Sequence, residues 1–252
     1  MNDITIRRPL KWMSEGATDV GTVRPLNEDS FLSQPEIGLW TVADGMGGHD
    51  GGSVASQMIV DSLKKLTSKV NLDIFVNDIE NIIIDVNKCL LEYSRERLNG
   101  RTIGSTFVSL LIKGNVGVCL WAGDSRLYRF RQDKLSQISE DHSHVAELVK
   151  QGLISAQQAE NHPESNVITR AVGTSERIDI DIDLFDVKIG DQFLLCSDGL
   201  YNSVNSTEIV NCLYENSLEQ SVNNLIKTAL HNQASDNVSV VLVKGIYHNA
   251  AE

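Results

Sequence analysis

The chain is 252 residues long, with 41 % hydrophobic and 22 % charged residues, an ordinary globular balance at a length that buries a sizeable core without staples. Its formal net charge of −12 argues against general affinity for nucleic acid or anionic membrane surfaces, both of which reward basic patches. Arg7, Arg8 and Lys11 interrupt the N-terminus, and no stretch approaches the roughly 18 apolar residues a bilayer span needs, so a soluble cytoplasmic protein is expected.

Short strand-like runs come first, at 30–33 and 39–43. Two helical stretches follow, 53–66 and 74–98, with apolar residues at broadly helical spacing and Gly100 placed to help end the second. A dense β section occupies 106–112, 116–122, 126–131 and 135–138, with Gly114-Asn115 and Gln132-Asp133 as hairpin turns. Two short helices with serine-type caps are expected at 145–152 and 155–160. Strands resume at 167–172, 178–187 and 192–196, helices at 207–214 and 218–231, and 238–244 closes as a strand. Strands cluster with strands and helices come in pairs, so the pattern predicts an α+β layered fold with mainly antiparallel sheets. No Pro/Ser/Gly-rich linker divides the chain, and residues 1–252 read as a single domain. Cys89, Cys119, Cys196 and Cys212 form no C-x-x-C pair, and three lie in apolar surroundings that suit buried, reduced thiols.

Five segments concentrate acids at strand ends: Asp19 through Asn27-Glu28-Asp29, Asp44-Gly45-Met46-Gly47-Gly48-His49, Gly123-Asp124-Ser125-Arg126, Ser197-Asp198-Gly199-Leu200 and Ser235-Asp236-Asn237-Val238. The apolar run before Asp44 would cross the core and deliver that carboxylate at its rim. Gly45 leaves the backbone uncovered, so its carbonyl can also reach an ion. The run before Asp198 does the same. Carboxylates converging from several strands repel one another, and burial sharpens the conflict. Hard divalent cations such as Mg²⁺ or Mn²⁺ relieve it with oxygen ligands and retained waters, and no His/Cys cluster has zinc spacing. Taken singly, each segment has an ordinary reading too: Asp-Gly is a common turn, and Asp236-Asn237 suits a cap or loop. The glycines of 45–52 lack the Gly-Lys-Ser/Thr of a phosphate-binding P-loop.

In order and spacing these pieces resemble the type 2C (PPM) metal-dependent serine/threonine protein phosphatases in their compact bacterial form. The resemblance runs from about Ser14 to Lys244 and takes in Asp-x-Gly-x-x-Arg-x-x-Asn-Glu-Asp from Asp19, Gly104-Ser105-Thr106, Asp141-His142-Ser143 and Thr169-Arg170-Ala171-Val172-Gly173. It implies two antiparallel sheets packed face to face, with helix pairs outside, and hydrolysis of phosphoserine and phosphothreonine in proteins by water activated between divalent cations. It implies no covalent phosphoenzyme, which leaves the cysteines structural.

Residue by residue, the resemblance makes Asp44 the carboxylate bridging two Mn²⁺ or Mg²⁺ ions, with Gly45 offering its carbonyl and Asp198 and Asp236 completing the pair. Glu28 would orient a water there, with Asp29 and Asn237 in support. Asp124, with Asp198, matches the holder of a third, weaker ion, although a hairpin-turn role fits it equally well. Arg24 matches the arginine that binds the substrate phosphate. Met46 stands where many eukaryotic relatives have a histidine, so the general acid stays open between His49, three residues on, and a water of the metal site. Segment 141–163 resembles the family's flap beside the active site; its polar helices also suit a plain solvated surface. The expected partners are phosphoproteins and a cognate serine/threonine kinase, with no nucleic acid and no membrane. A catalytically weak member serving as a phosphoprotein-binding module is the alternative, and it would be marked by lost metal-binding acids; all are present here.

Overall fold

The computed structural model describes residues 10–48, 51–160 and 162–247. In chain order the strands are β1 (Leu10–Asp19), β2 (Asp29–Gln34), β3 (Leu39–Met46), β4 (Gly104–Ser105), β5 (Phe107–Lys113) and β6 (Val116–Ala122). They continue with β7 (Arg126–Arg131), β8 (Lys134–Gln137), β9 (Asp181–Asp186), β10 (Gln192–Cys196) and β11 (Val238–Tyr247). One sheet runs β1-β11-β10-β7-β8 and the other β2-β3-β5-β6-β9, with β4 also on β3. Every ladder is antiparallel.

The central strands are apolar on both faces because both faces are covered. Along β10, Phe193 and Leu195 enter the layer between the sheets, while Leu194 and Cys196 face the opposite way. β11 alternates identically, Val241 and Val243 inward, Val240 and Leu242 outward. In β3, Trp40 and Val42 point inward and Leu39 and Ala43 outward. Side chains alternate across a strand, so a run without polar breaks is the mark of a sheet buried on two sides. Phe193 is fully buried, and burial of such a side chain stabilises by about 1.5–3 kcal/mol.

The helices supply the outer layers. Ile59 and Leu63 of α1 (Gly51–Leu63), with Phe75, Ile79, Ile83 and Leu90 of α2 (Leu72–Arg97), pack on Leu39, Leu111 and Leu120. Across the molecule, Ile209 and Leu213 of α6 (Ser206–Leu213) and Val222 and Leu225 of α7 (Leu218–His231) pack on Leu194, Val240 and Leu242. The result is the four-layer α+β sandwich expected. Two short helices, α3 (His144–Lys150) and α4 (Ala156–Glu160), occupy an excursion between β8 and β9. Ser143 caps α3 by accepting from the Ala146 N–H, and Ser155 Oγ accepts from Gln158 N–H ahead of α4. Among the described residues no helix is long and apolar enough to cross a membrane.

Some elements differ from expectation, among them the two-residue strand β4, which was not expected. Residues 167–172 form no strand; they make only isolated bridges, Ser143 with Ile168 and Ser105 with Val172. β1 was not expected, since its ten residues lack a sustained apolar alternation, yet it pairs along its whole length with β11. A single turn of helix, α5 (Asp198–Tyr201), which was not expected, begins at the aspartate expected at the end of a strand.

Candidate active site

One end of the sandwich collects the acids. Asp29 opens β2 and lies opposite Asp44 of β3 in the ladder. The Asp44 carbonyl accepts from the Thr106 N–H and the Ser105 hydroxyl, both at 2.9 Å, which ties β3 to the start of β5. Asp198 stands two residues after β10, Asp236 stands two residues before β11, and Asp124 sits between β6 and β7. Pairing of Cys196 with both Val240 and Arg126 brings these three ends together.

The 20–28 loop is pinned to the same end by Asn237. Its amide nitrogen donates to the Val20 and Leu26 carbonyls at 2.9 Å each, and its Oδ1 accepts from the Glu28 N–H at 2.8 Å. Glu28 is thereby set against α1, where its Oε1 accepts from Gly52 N–H at 3.0 Å. Arg24, on the exposed side of the loop, donates from Nη2 to Asp236 Oδ2 at 2.7 Å. Gly45 is buried in this junction: a Cβ there would lie 2.1 Å from the Gly52 carbonyl oxygen and 2.5 Å from that of Glu28. Gly199 is equally confined, with the Asn237 carbonyl oxygen 2.1 Å from where its Cβ would stand. The Asp-Gly pairs are thus explained by close backbone approach as well as by turn formation.

Asp29 is buried, and its Oδ2 accepts from the Ser197 hydroxyl at 2.7 Å, while Ser197 Oγ accepts from the Ser239 N–H at 2.9 Å. Sequence reading gave Ser197 no role; its one signal was its place beside Asp198. The acids raise one another's pKa. Burial, then the charges of Asp29, Asp198, Asp124 and Asp236, holds the Asp44 carboxyl well above the usual range. Burial followed by Asp124, Asp236 and Asp29 pushes Asp198 up to about 8. Asp29 and Asp124 are each pushed up to about 6, in both cases chiefly by burial. Arg24 is raised first by its hydrogen bond to Asp236, with smaller contributions from Asp198 and Glu28. The structure therefore brings together Arg24, Glu28, Asp29, Asp44, Asp124, Asp198, Asp236 and Asn237. His49 lies outside the described residues.

The strongest charges acting on Asp44 are all negative, a conflict that bound cations resolve. Among the described residues no group of three or more His, Cys, Asp or Glu closes into a ready-made cage. Mg²⁺-type ions fit such an open arrangement, since they take one or two carboxylates and keep several waters. The donor set, oxygen throughout, suits these hard ions.

Such a carboxylate-lined end on an αββα sandwich defines a class of metal-assisted hydrolase, and comparison with known proteins narrows it. The family model described as protein phosphatase 2C matches residues 24–241. The serine/threonine phosphatase stp of Listeria monocytogenes serotype 4b is 35 % identical over 239 residues, 92 % of this chain and 95 % of that protein. The solved structure of PppA, a regulatory component of the type VI secretion system in Pseudomonas aeruginosa, superposes with a TM-score of 0.88 at 38 % identity, covering 95 % of this chain and all of that one. The catalytic domain of the phosphatase PstP, solved with 2 manganese ions, gives 0.85 at 30 % identity, covering 94 % and 99 %. The chain belongs to the protein phosphatase 2C family.

Proposed function

We propose that this chain hydrolyses phosphoserine and phosphothreonine in proteins at the acid-lined end of its sandwich. The observation that carries the reading is Asp44, a carboxylate whose strongest electrostatic neighbours are four other aspartates. Two Mn²⁺ or Mg²⁺ ions bound there would supply a water that loses its proton near neutral pH, and positive charge beside the phosphoryl oxygens, so that a new P–O bond forms as the bond to the serine or threonine oxygen breaks. Asp44, the Gly45 carbonyl, Asp198 and Asp236 would hold the pair, and Asp124 with Asp198 would hold a weaker third ion. Glu28, fixed against Gly52, orients the attacking water; Asp29 and Asn237 hold this arrangement from behind. Arg24 turns its planar fork from Asp236 to the phosphate, where charge accumulates in the transition state.

The chain acts as one domain over 1–252, with 141–163 as a flap beside the site, and works in the cytoplasm on the products of a cognate serine/threonine kinase. The net charge of −12 supports protein substrates over nucleic acid. A phosphothreonine peptide assayed with Mn²⁺, with Mg²⁺ and with excess chelator tests the core of the proposal. Turnover is expected with either metal and lost with chelator; full activity in chelator overturns it.

A further inference from the structure

The Asp141-His142-Ser143 segment takes no part in the proposed chemistry, yet it grips the turn carrying Asp124 at both ends. His142 N–H donates to the Gly123 carbonyl at 2.9 Å, and Gly123 N–H donates back to His142 Nδ1 at 3.1 Å. One residue earlier, the Asp141 carboxylate takes the Arg126 guanidinium in a fork, Nη2 to Oδ2 at 2.6 Å and Nε to Oδ1 at 3.0 Å. That guanidinium lies 3.5 Å from the centroid of the Tyr201 ring, whose hydroxyl donates to the Asp124 carbonyl at 3.1 Å. The His142 ring is buried and stacked on Trp121. On its far side Nε2 stands 3.2 Å from Asp181 Oδ2, and Asp181 Oδ1 accepts from Arg170 Nη1 at 2.5 Å.

These contacts assign the tautomer. A backbone N–H only donates, so Nδ1 accepts and carries no proton; the proton sits on Nε2 and is donated to Asp181. The arrangement resembles the carboxylate–imidazole pairs that orient metal-binding histidines, except that here the second nitrogen holds a peptide. The peptide needs holding. Gly123 sits at φ +113, a conformation glycine adopts with no side chain to fix it.

We propose that His142 is a positioning residue for Asp124: kept as the Nε2–H tautomer by Asp181 and Arg170, it locks the Gly123–Asp124 turn and with it the direction of the Asp124 carboxylate. The inference rests on the reading of Asp124 given above for its value to the reaction, but the lock itself is a property of the metal-free protein.

Two substitutions separate the lock from mere packing. His142→Asn places an amide oxygen near the position of Nδ1, whereas His142→Gln moves its polar end towards Nε2 and leaves the Gly123 N–H without an acceptor. Both lose the ring and its stack on Trp121. In metal-free protein, His142→Gln should speed exchange of the Gly123 amide by about two- to tenfold, the worth of one hydrogen bond, and His142→Asn should restore most of the protection. With Mn²⁺ added, His142→Gln should raise the metal concentration giving half-maximal activity in the same direction as Asp124→Ala. Equal exchange in the two variants overturns the proposal. So does an Nδ1–H tautomer in the ¹⁵N imidazole spectrum of the unaltered protein, a measurement that needs no variant to fold. If exchange separates the variants while Asp124→Ala leaves the Mn²⁺ dependence unchanged, the lock stands and the reading of Asp124 falls.

Discussion

Asp29 and Asp44 face each other across the β2–β3 ladder, two carboxylates at directly opposed positions on neighbouring strands. Like charges so placed are destabilising; the Ser197 hydroxyl donates to the Asp29 carboxylate, whereas burial and four neighbouring aspartates raise the pKa of Asp44. The fold therefore holds Asp44 in an environment that favours its neutral form until a cation arrives. Asp44→Asn keeps the shape and removes the charge. Turnover on a phosphothreonine peptide should fall by roughly 10²–10³ or more, the loss expected for a central electrostatic element. In chelator the variant should melt at or above the unaltered protein, and Mn²⁺ should raise the melting temperature of the unaltered protein far more. Near-normal activity in the folded variant would move the metal site elsewhere.

Arg24 tests binding apart from the metal. Its exposed guanidinium reaches Asp236 at 2.7 Å, so it stands at the rim with donors to spare. Lysine preserves the charge and loses the planar fork that matches phosphate oxygens. Arg24→Lys should lower kcat/KM by about tenfold or more, the scale of a charge-assisted hydrogen bond, while Mn²⁺ affinity by calorimetry stays within error. Loss of Mn²⁺ binding would place Arg24 with the fold or with the surroundings of the metal site instead.

Asp198 gives the site a pH signature in metal-free protein. Its carboxyl is pushed up to about 8, chiefly by burial and then by Asp124, Asp236 and Asp29. A group whose folded pKa lies above its unfolded value binds its proton more tightly when folded. Its stabilising contribution is complete below the unfolded value, about 4, and is lost as pH rises through the folded one. Urea unfolding in chelator should therefore show Asp198→Asn gaining on the unaltered protein between pH 5 and pH 8, both set within that window. Parallel stability curves would mean that Asp198 titrates normally.

Much of this was legible because burial on two faces writes itself as long apolar runs: 116–122, and 193–196 behind Gln192, lie in strands whose bounds 116–122 and 192–196 match expectation to the residue. The acids were legible through glycine, since Asp44-Gly45 and Asp198-Gly199 mark places where backbones nearly touch. Other parts had no such mark. β1 is an edge strand with Met13 about half exposed, and its polar contacts, Ser14 to Ser33 and Thr18 to Ser239, are long-range hydroxyl pairs that spacing along the chain does not reveal. The 167–172 run has strand composition without a strand partner, which composition alone cannot register. His142 stands in the Asp141-His142-Ser143 motif, but its work depends on Gly123 and Asp181, residues 19 and 39 positions away.

Gly45 separates steric need from chemical role. A Cβ at this position would stand 2.1 Å from the Gly52 carbonyl oxygen and 2.5 Å from that of Glu28, distances that real Cβ atoms do not adopt. Neither neighbour can yield cheaply, because both are backbone: Gly52 lies in the first turn of α1, and the Glu28 carbonyl accepts from the Gly45 N–H and the Ser56 hydroxyl. Gly45→Ala must therefore push the start of α1 away from the end of β3, at the cost of about 1–3 kcal/mol typical of an overpacked site, and must displace the strand end that carries Asp44. Gly114→Ala is the control. Gly114 lies in the β5–β6 turn at φ +62 with nothing within 4 Å of its would-be Cβ. Alanine there meets only the left-handed backbone penalty, about 1–2 kcal/mol, at a turn that carries none of the site acids. Both variants should lose melting temperature, but only Gly45→Ala should lose most of its turnover per folded molecule and need more Mn²⁺ to reach what remains. Melting curves and kcat over a Mn²⁺ titration, run on both proteins, decide the matter. If Gly45→Ala keeps full turnover at ordinary Mn²⁺, the junction of Glu28, Gly45 and Gly52 does not set the geometry of Asp44.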